Sequence, residues 1–324
     1  MFCAGLWAWL DTLCDAAGAA LKKNKLHRHI LYGLLIGVRA LLHLVPYKIG
    51  FWMAGNLGKF TFHILSKEKK KTLSHLRMAF GGEKTETELT KIGEGVFEHY
   101  GRTFFELAML DKIIPKFDDF VRASGYENFD KGLKAGKGIV VTIAHFGNWE
   151  IMGGYTAMKG YPCTVIARKI YFEKYDKLLV NIRNQMKVET IYRTDSVREM
   201  IKVLRKNRML GFVVDQDVDS VDGVFVNFFN RPAFTPVAPV RFAMLTGAPI
   251  IPVFIVREGM KHHMIVEPAI ELTETENKEE DVKINTQKWV SIQEKYIRQY
   301  PHLWVWNHKR WKTQAPQSCA EATG

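Results

Sequence analysis

The stretch GIVVTIAHFGNWE, residues 138–150, ends an apolar run with a histidine, His145, and places a glutamate, Glu150, five positions further on. A neutral imidazole can take a proton from an attacking hydroxyl, and a carboxylate that fixes its tautomer and stabilises its protonated form completes a general base. On a continuous helix, residues five apart point roughly 140° away from each other, so these two side chains meet only if Phe-Gly-Asn-Trp forms a turn between them. Gly147 and Asn148 are residue types that tolerate such a backbone. So short a string also fits a histidine that caps the next helix and a glutamate that faces water.

Positioning these groups falls to the strand before them. Ile139 to Ala144 are rich in β-branched residues and follow Gly136 and Gly138, a pattern that predicts a central strand with His145 at its carboxyl end. In open α/β sheets that edge is where ligands bind. Further strands are expected at 162–167, 188–193, 209–214, 249–256 and 262–267, with helices at about 149–159, 172–187, 195–207, 235–246 and 281–299. The last helix carries Val282, Trp289, Ile292 and Tyr296 on one stripe. This alternation, from about residue 121, predicts an α/β domain with a mainly parallel sheet flanked by helices.

Arg168 follows the second of these strands, and Asp215 with Gln216 ends the VVDQ strand on the same edge as His145. Asp215 also suits a turn or a helix cap. Phe225, Phe228, Phe229 and Phe234 crowd a stretch read as a loop, where they line an acyl groove or pack a core. Backbone N–H groups of the Gly147–Asn148 turn, or of the next helix's start, are candidate donors to an oxyanion.

The N-terminal part is different in character. Residues 1–21 are apolar but contain Asp11 and Asp15, with no basic residue ahead, so a cleaved signal peptide is not expected. The basic cluster KKNKLHRH precedes an apolar run at 30–45 that contains Arg39. Sixteen helical residues span about 24 Å, less than a hydrocarbon core of about 30 Å, which favours a helix lying in a membrane interface over one that spans. Trp7, Trp9 and Trp52 suit that boundary, and a buried core helix is the alternative. A basic helix at 66–82 and an amphipathic one at 86–110, with Ile92, Val96, Tyr100, Phe104 and Leu107 recurring, complete the region. The parts are therefore 1–45, membrane-associating helices; 46–120, helical; 121–313, the α/β domain; and 314–324, a tail.

The 324-residue chain carries a net charge of +12 and eight tryptophans, which fits an anionic partner: nucleic acid, an anionic membrane surface or a phosphorylated substrate. Cys3, Cys14, Cys163 and Cys319 show no metal-ligand spacing, so neither a structural zinc nor a disulfide framework is expected. No nucleic-acid module is recognisable.

Four more stretches follow HFGNWE: YPCTVIARK at 161–169, FVVDQDVDSVDGVFVNFFNRPAFTP at 212–236, LTGAPIIPVFIVR at 245–257 and QYPHLWVWNHKRWKT at 299–313. In this order they resemble the late acyltransferases of lipid A biosynthesis, the lauroyl/myristoyl transferase family, over roughly residues 30–313. The resemblance implies a glycerol-phosphate-acyltransferase-like α/β fold behind an N-terminal membrane anchor, at the cytoplasmic face of a bacterial inner membrane. It implies acyl transfer from an acyl carrier protein thioester, or coenzyme A, to a hydroxyl of a lipid A precursor, with no metal, no cofactor and no nucleic acid. His145 and Glu150 match the family's H-x-x-x-x-D/E pair as catalytic residues. Arg168 and Arg183 match basic positions, for phosphate on the acceptor or on the phosphopantetheine arm, while Asp215, Gln216 and Asn148 fall among the substrate-binding positions. Where the family commonly shows Pro-Phe-Phe-Gly, this chain has Asn227-Phe228-Phe229-Asn230. Rival readings are a different acceptor (a lysophospholipid, a phosphatidylinositol mannoside or another glycolipid) and an inactive acyl-binding scaffold. Glu150 at the fifth position and the lack of a Pro-Glu-Gly motif weigh against the lysophospholipid branch.

Overall fold

A computed structural model describes residues 25–308 and 310–315. The segment with Trp7 and Trp9, the start of the basic cluster, Cys3, Cys14 and Cys319 lie outside the described residues, as does nearly all of the tail. Helices α1 (Lys25–Leu42), α2 (Tyr47–Ile64), α3 (Ser66–Phe80) and α4 (Glu86–Ala108) come first. Thr85 starts α4 with a capping box: its hydroxyl accepts from the Glu88 N–H, and the Glu88 carboxylate accepts from the Thr85 N–H. The amphipathic pattern of α4 is realised, with Val96 and Tyr100 buried. A β-carbon on Gly58 of α2 would collide with the Phe97 carbonyl, and one on Gly101 of α4 with the Ala54 carbonyl, so glycine lets these helices touch backbone to backbone.

After short turns the chain alternates: β1 (Val121–Ser124), α5 (Tyr126–Lys134), β2 (Ile139–Ile143), α6 (Trp149–Met158), β3 (Cys163–Ala167), α7 (Glu173–Gln185), β4 (Glu189–Tyr192), α8 (Val197–Arg205) and β5 (Met209–Val213). The hairpin β6 (Gly223–Phe228) and β7 (Arg231–Pro236), α9 (Ala238–Thr246), β8 (Ile250–Glu258), β9 (Lys261–Val266) and α10 (Lys278–Gln299) follow. Among the described residues seven strands make one sheet in the order β1-β9-β8-β2-β5-β3-β4, parallel except where β8 meets β9. The mainly parallel α/β fold expected from the sequence is present. Among the described residues no helix is long and apolar enough to cross a membrane.

The phenylalanine-rich stretch is the β6–β7 hairpin and not a loop. Its two-residue turn puts Phe229 at φ 53° and Asn230 at φ 56°, the left-handed pair that a tight hairpin requires. Asparagine suits that conformation, whereas phenylalanine does not; the Phe229 N–H is held by the Glu294 carboxylate at 2.7 Å. Phe228 and Phe229 are buried against Trp304, Trp306 and Phe80. Both rings are therefore core, and the acyl-groove reading of these two residues is corrected.

Candidate active site

Strands β2 and β5 are parallel neighbours in a register that pairs Ile143 with Val213. His145 and Asp215 each lie two residues beyond that pair, so they emerge side by side at the carboxyl edge of the sheet. The His145 Nδ1 is 2.6 Å from Asp215 Oδ1, and the His145 backbone N–H donates to Oδ2 at 2.7 Å. Trp304 Nε1 donates to the same Oδ2 at 2.8 Å. Both residues are fully buried. Burial alone would raise the Asp215 carboxyl, but attraction to His145, the hydrogen bonds from it and nearby His308 hold it well below the usual carboxylate range. An ionised Asp215 at Nδ1 sets the Nδ1–H tautomer and makes Nε2 the acceptor nitrogen of the ring.

The expected partner of His145 was Glu150, and here the structure departs from the sequence reading. Glu150 begins α6 on the turn, yet its two oxygens accept from Arg183 Nη2 at 2.6 Å and Nε at 3.0 Å. This is a buried, bidentate pair. Arg183, taken from the sequence as a phosphate ligand, is thus 1% exposed and committed to Glu150. The histidine–carboxylate contact is supplied from 70 residues downstream, by Asp215.

The turn itself is tightly specified. Gly147 has φ 59°, and a β-carbon there would strike the Ile255 carbonyl. Its N–H donates to the Leu303 carbonyl at 2.9 Å, which removes it as an oxyanion donor. Asn148 is the N-cap of α6: Oδ1 accepts from the Ile151 N–H at 3.2 Å, and Nδ2 donates to Glu106 at 2.8 Å. Its side chain is therefore spoken for at both ends, unlike the substrate contact expected of it. The segment WVWNH runs beside the turn, with the Val305 N–H donating to the His145 carbonyl at 3.1 Å. Trp304 stands behind the His145–Asp215 pair.

Two concavities flank this centre. An apolar groove of about 230 Å³ is lined by Leu35, Val38 and Leu42 of α1, Phe104 and Leu107 of α4, and Leu178, Leu179 and Ile182 of α7. It ends at Trp149 and Glu150, and the Trp149 ring packs edge-on against His145 at 5.1 Å. A polar cleft is lined by Arg168, Arg193, Gln216, Asp217, Ser220, His308 and Lys312. Arg168 is exposed there, as placed from the sequence, and Gln216 Nε2 lies 3.3 Å from His145 Nδ1. Sequence reasoning missed His308, whose Nε2 is 4.0 Å from Asp215 and whose pKa burial pushes down to about 3. His145, Asp215 and His308 offer ligand atoms within 4.8 Å of one another, as a metal site would. Asp215 already accepts three hydrogen bonds, so the donor set favours a hydrogen-bonded relay.

A mainly parallel sheet with this histidine at its carboxyl edge, between an apolar groove and a polar cleft, suits transfer chemistry on an amphipathic substrate. Residues 20–313 match the family described as "Bacterial lipid A biosynthesis acyltransferase", and the chain belongs to that family of acyltransferases. It is 26% identical over 296 residues to the lipid A biosynthesis lauroyltransferase of Escherichia coli (strain K12), covering 89% of this chain and 93% of that one. A lipid A biosynthesis acyltransferase of Haemophilus influenzae (strain ATCC 51907 / DSM 11121 / KW20 / Rd) is 23% identical over 283 residues, 85% of this chain and 86% of its own. The phosphatidylinositol mannoside acyltransferase of Mycobacterium tuberculosis (strain ATCC 25618 / H37Rv) is 26% identical over 230 residues, 68% of this chain and 70% of its own.

Proposed function

We propose that the protein moves a fatty acyl chain from an acyl carrier protein or coenzyme A thioester to a hydroxyl of a lipid A precursor, with His145 as general base. The observation that carries this reading is the buried His145–Asp215 pair between the groove and the polar cleft. His145 Nε2 takes the proton of the acceptor hydroxyl as its oxygen attacks the thioester carbonyl. The imidazolium so formed is stabilised by Asp215. Collapse of the tetrahedral intermediate forms the ester and breaks the C–S bond, and the leaving thiolate recovers the proton from His145. The Glu150 N–H at the start of α6 is the proposed oxyanion donor in place of Gly147, the Ile151 and Met152 N–H groups being held by Asn148. Glu150, which lines the groove and is held by Arg183, is assigned a positioning part.

The acyl chain is assigned to the groove, and a phosphate of the acceptor or of the donor's pantetheine arm to Arg168 and Arg193 in the cleft. The apolar faces of α1 and α2 are assigned to the membrane, at the cytoplasmic side of a bacterial inner membrane, where the thioester donors are found. A mannosylated phosphoinositide is the second reading of the acceptor, favoured by relatives named for that substrate. The lipid A relatives align over the larger share of the chain, which supports the first. Mass spectrometry of lipids from cells with and without the gene tests both, since it reports acceptor and chain length together. An unchanged lipid profile, together with no acyl transfer by the purified protein, would favour an inactive acyl-binding scaffold.

A further inference from the structure

Helix α4 presents His99, Thr103 and Glu106 at helical spacing on one buried face, toward Arg257 of β8. Glu106 Oε1 accepts from Arg257 Nη1 at 2.5 Å and from His262 Nε2 at 3.0 Å. Its Oε2 accepts from Arg257 Nη2 at 2.7 Å and from Asn148 Nδ2 at 2.8 Å. Arg257 Nη2 also reaches Thr103 Oγ1 at 3.2 Å, and Nε donates to His99 Nδ1 at 3.1 Å. With Nδ1 accepting, His99 carries its proton on Nε2, which lies 3.4 Å from Thr103 Oγ1.

A buried charge network of this kind is a costly way to hold a core together, because apolar residues of the same volume often stabilise a fold as well or better. What apolar residues cannot supply is direction. The network reaches the turn between His145 and Glu150 through the Asn148 side chain. Phe104 and Ala108, on another face of the same helix, line the apolar groove. One helix thus holds the groove and the base in a single frame.

We propose that Glu106 is a positioning residue for acyl transfer: through Asn148 it fixes the turn that sets His145 against Asp215. This rests on the reading of His145 as the base. Asn148→Ser keeps an N-cap acceptor for α6 but removes the donor to Glu106, so it cuts the link without stranding a charge. Asn148→Asp sets two carboxylates against each other, and Glu106→Gln removes the charge that Arg257 faces. Combined, the new amide donates to the new carboxylate and the link returns with reversed polarity.

The full chain is assayed by thiol release from dodecanoyl-coenzyme A, alongside melting temperature. The His145 Nδ1–H proton resonance, assigned by its loss in His145→Gln, reads the same geometry without turnover. For Asn148→Ser we expect kcat per folded molecule to fall about 10–100-fold with little change in donor KM, as a misplaced reacting group would give. The Nδ1–H resonance should shift, and the double variant should exceed both of its singles in kcat. Wild-type kcat and an unmoved resonance in Asn148→Ser would overturn the proposal; so would losses that track only the folded fraction. If thiol release proves independent of His145, the functional reading fails, and the resonance still decides whether Glu106 sets the turn.

Discussion

At the scale of the residue, the decisive feature is which oxygen of Asp215 meets which donor. Oδ2 takes two N–H donors, from the His145 backbone and from Trp304, while Oδ1 faces His145 Nδ1. In Asp215→Asn the amide oxygen is therefore drawn to the two N–H donors and the NH₂ is turned toward Nδ1. That orientation enforces the Nε2–H tautomer, which has no lone pair where the base needs one. Acyl transfer by Asp215→Asn should fall by roughly 10²–10⁴-fold, the usual worth of a general base, with donor KM little altered. Turnover near wild type would assign the base elsewhere. His145 was legible in the sequence because a buried strand runs into it; its partner was not. Asp215 stood at the end of a predicted strand, but nothing in the chain says that β2 and β5 are neighbours in matched register. The nearer carboxylate, Glu150, was the natural choice, and the arginine that claims it is 33 residues further on.

At the scale of the element, strands with an unbroken apolar run or clear flanking signals were legible, and all six expected ones form within two residues of their predicted ends. Strand β1 was not, because four residues reading VRAS carry no period that a short edge strand needs. The β6–β7 hairpin was hidden by its turn, which uses Phe229-Asn230 where an Asn-Gly pair would have announced it. The groove could not be read at all, since α1, α4 and α7 converge on it from distant parts of the chain. Its depth makes a prediction. Ile182 lines the groove on α7, two turns of helix beyond Tyr175, and a larger ring there shortens the space for an acyl chain. Ile182→Trp should shift preference toward shorter acyl donors, seen as a raised kcat/KM ratio of octanoyl- over dodecanoyl-coenzyme A. Each methylene excluded is worth about 0.8 kcal/mol, so a change of only a few carbons is a readable effect. An unchanged chain-length profile would place the acyl chain outside this groove.

At the scale of the whole molecule, two properties emerge that no single element has. The first is an apolar outer face: Ile49, Trp52, Met53, Leu57, Phe60 and Ile64 recur along one side of α2, each more than half exposed, and Ile30, Leu34 and Leu41 add to it from α1. A patch of this kind on a cationic protein fits the interface of an anionic bilayer. Trp52→Glu with Leu57→Glu should reduce sedimentation with phosphatidylglycerol vesicles at least about 10-fold while leaving the circular dichroism spectrum unchanged, since neither side chain is in the core. Equal sedimentation would locate the attachment elsewhere. The second property is a stability that falls with acid in two stages. His308 and His99 are pushed down, first by burial, and so stay neutral in the fold, whereas in the unfolded chain each protonates near pH 6.5. The unfolded state then binds the extra protons, and stability declines as pH drops below about 6.5, by up to ~1.4 kcal/mol per pH unit for each group. Asp215 and Glu106 act lower down. Burial would raise both, but His145 holds one ionised and Arg257 with His262 the other, so their contribution is intact above about pH 4 and is lost as pH falls through their depressed values. Melting temperature against pH should therefore show a gentle slope from about 6.5 and a steep one below about 4. His308→Asn should flatten the first part because the titrating group is removed, and change the steep part less, since Asp215 keeps its bonds from His145 and Trp304 and Glu106 those from Arg257. If that variant melts with the wild-type slope between pH 6.5 and 4, His308 is not held neutral in the fold.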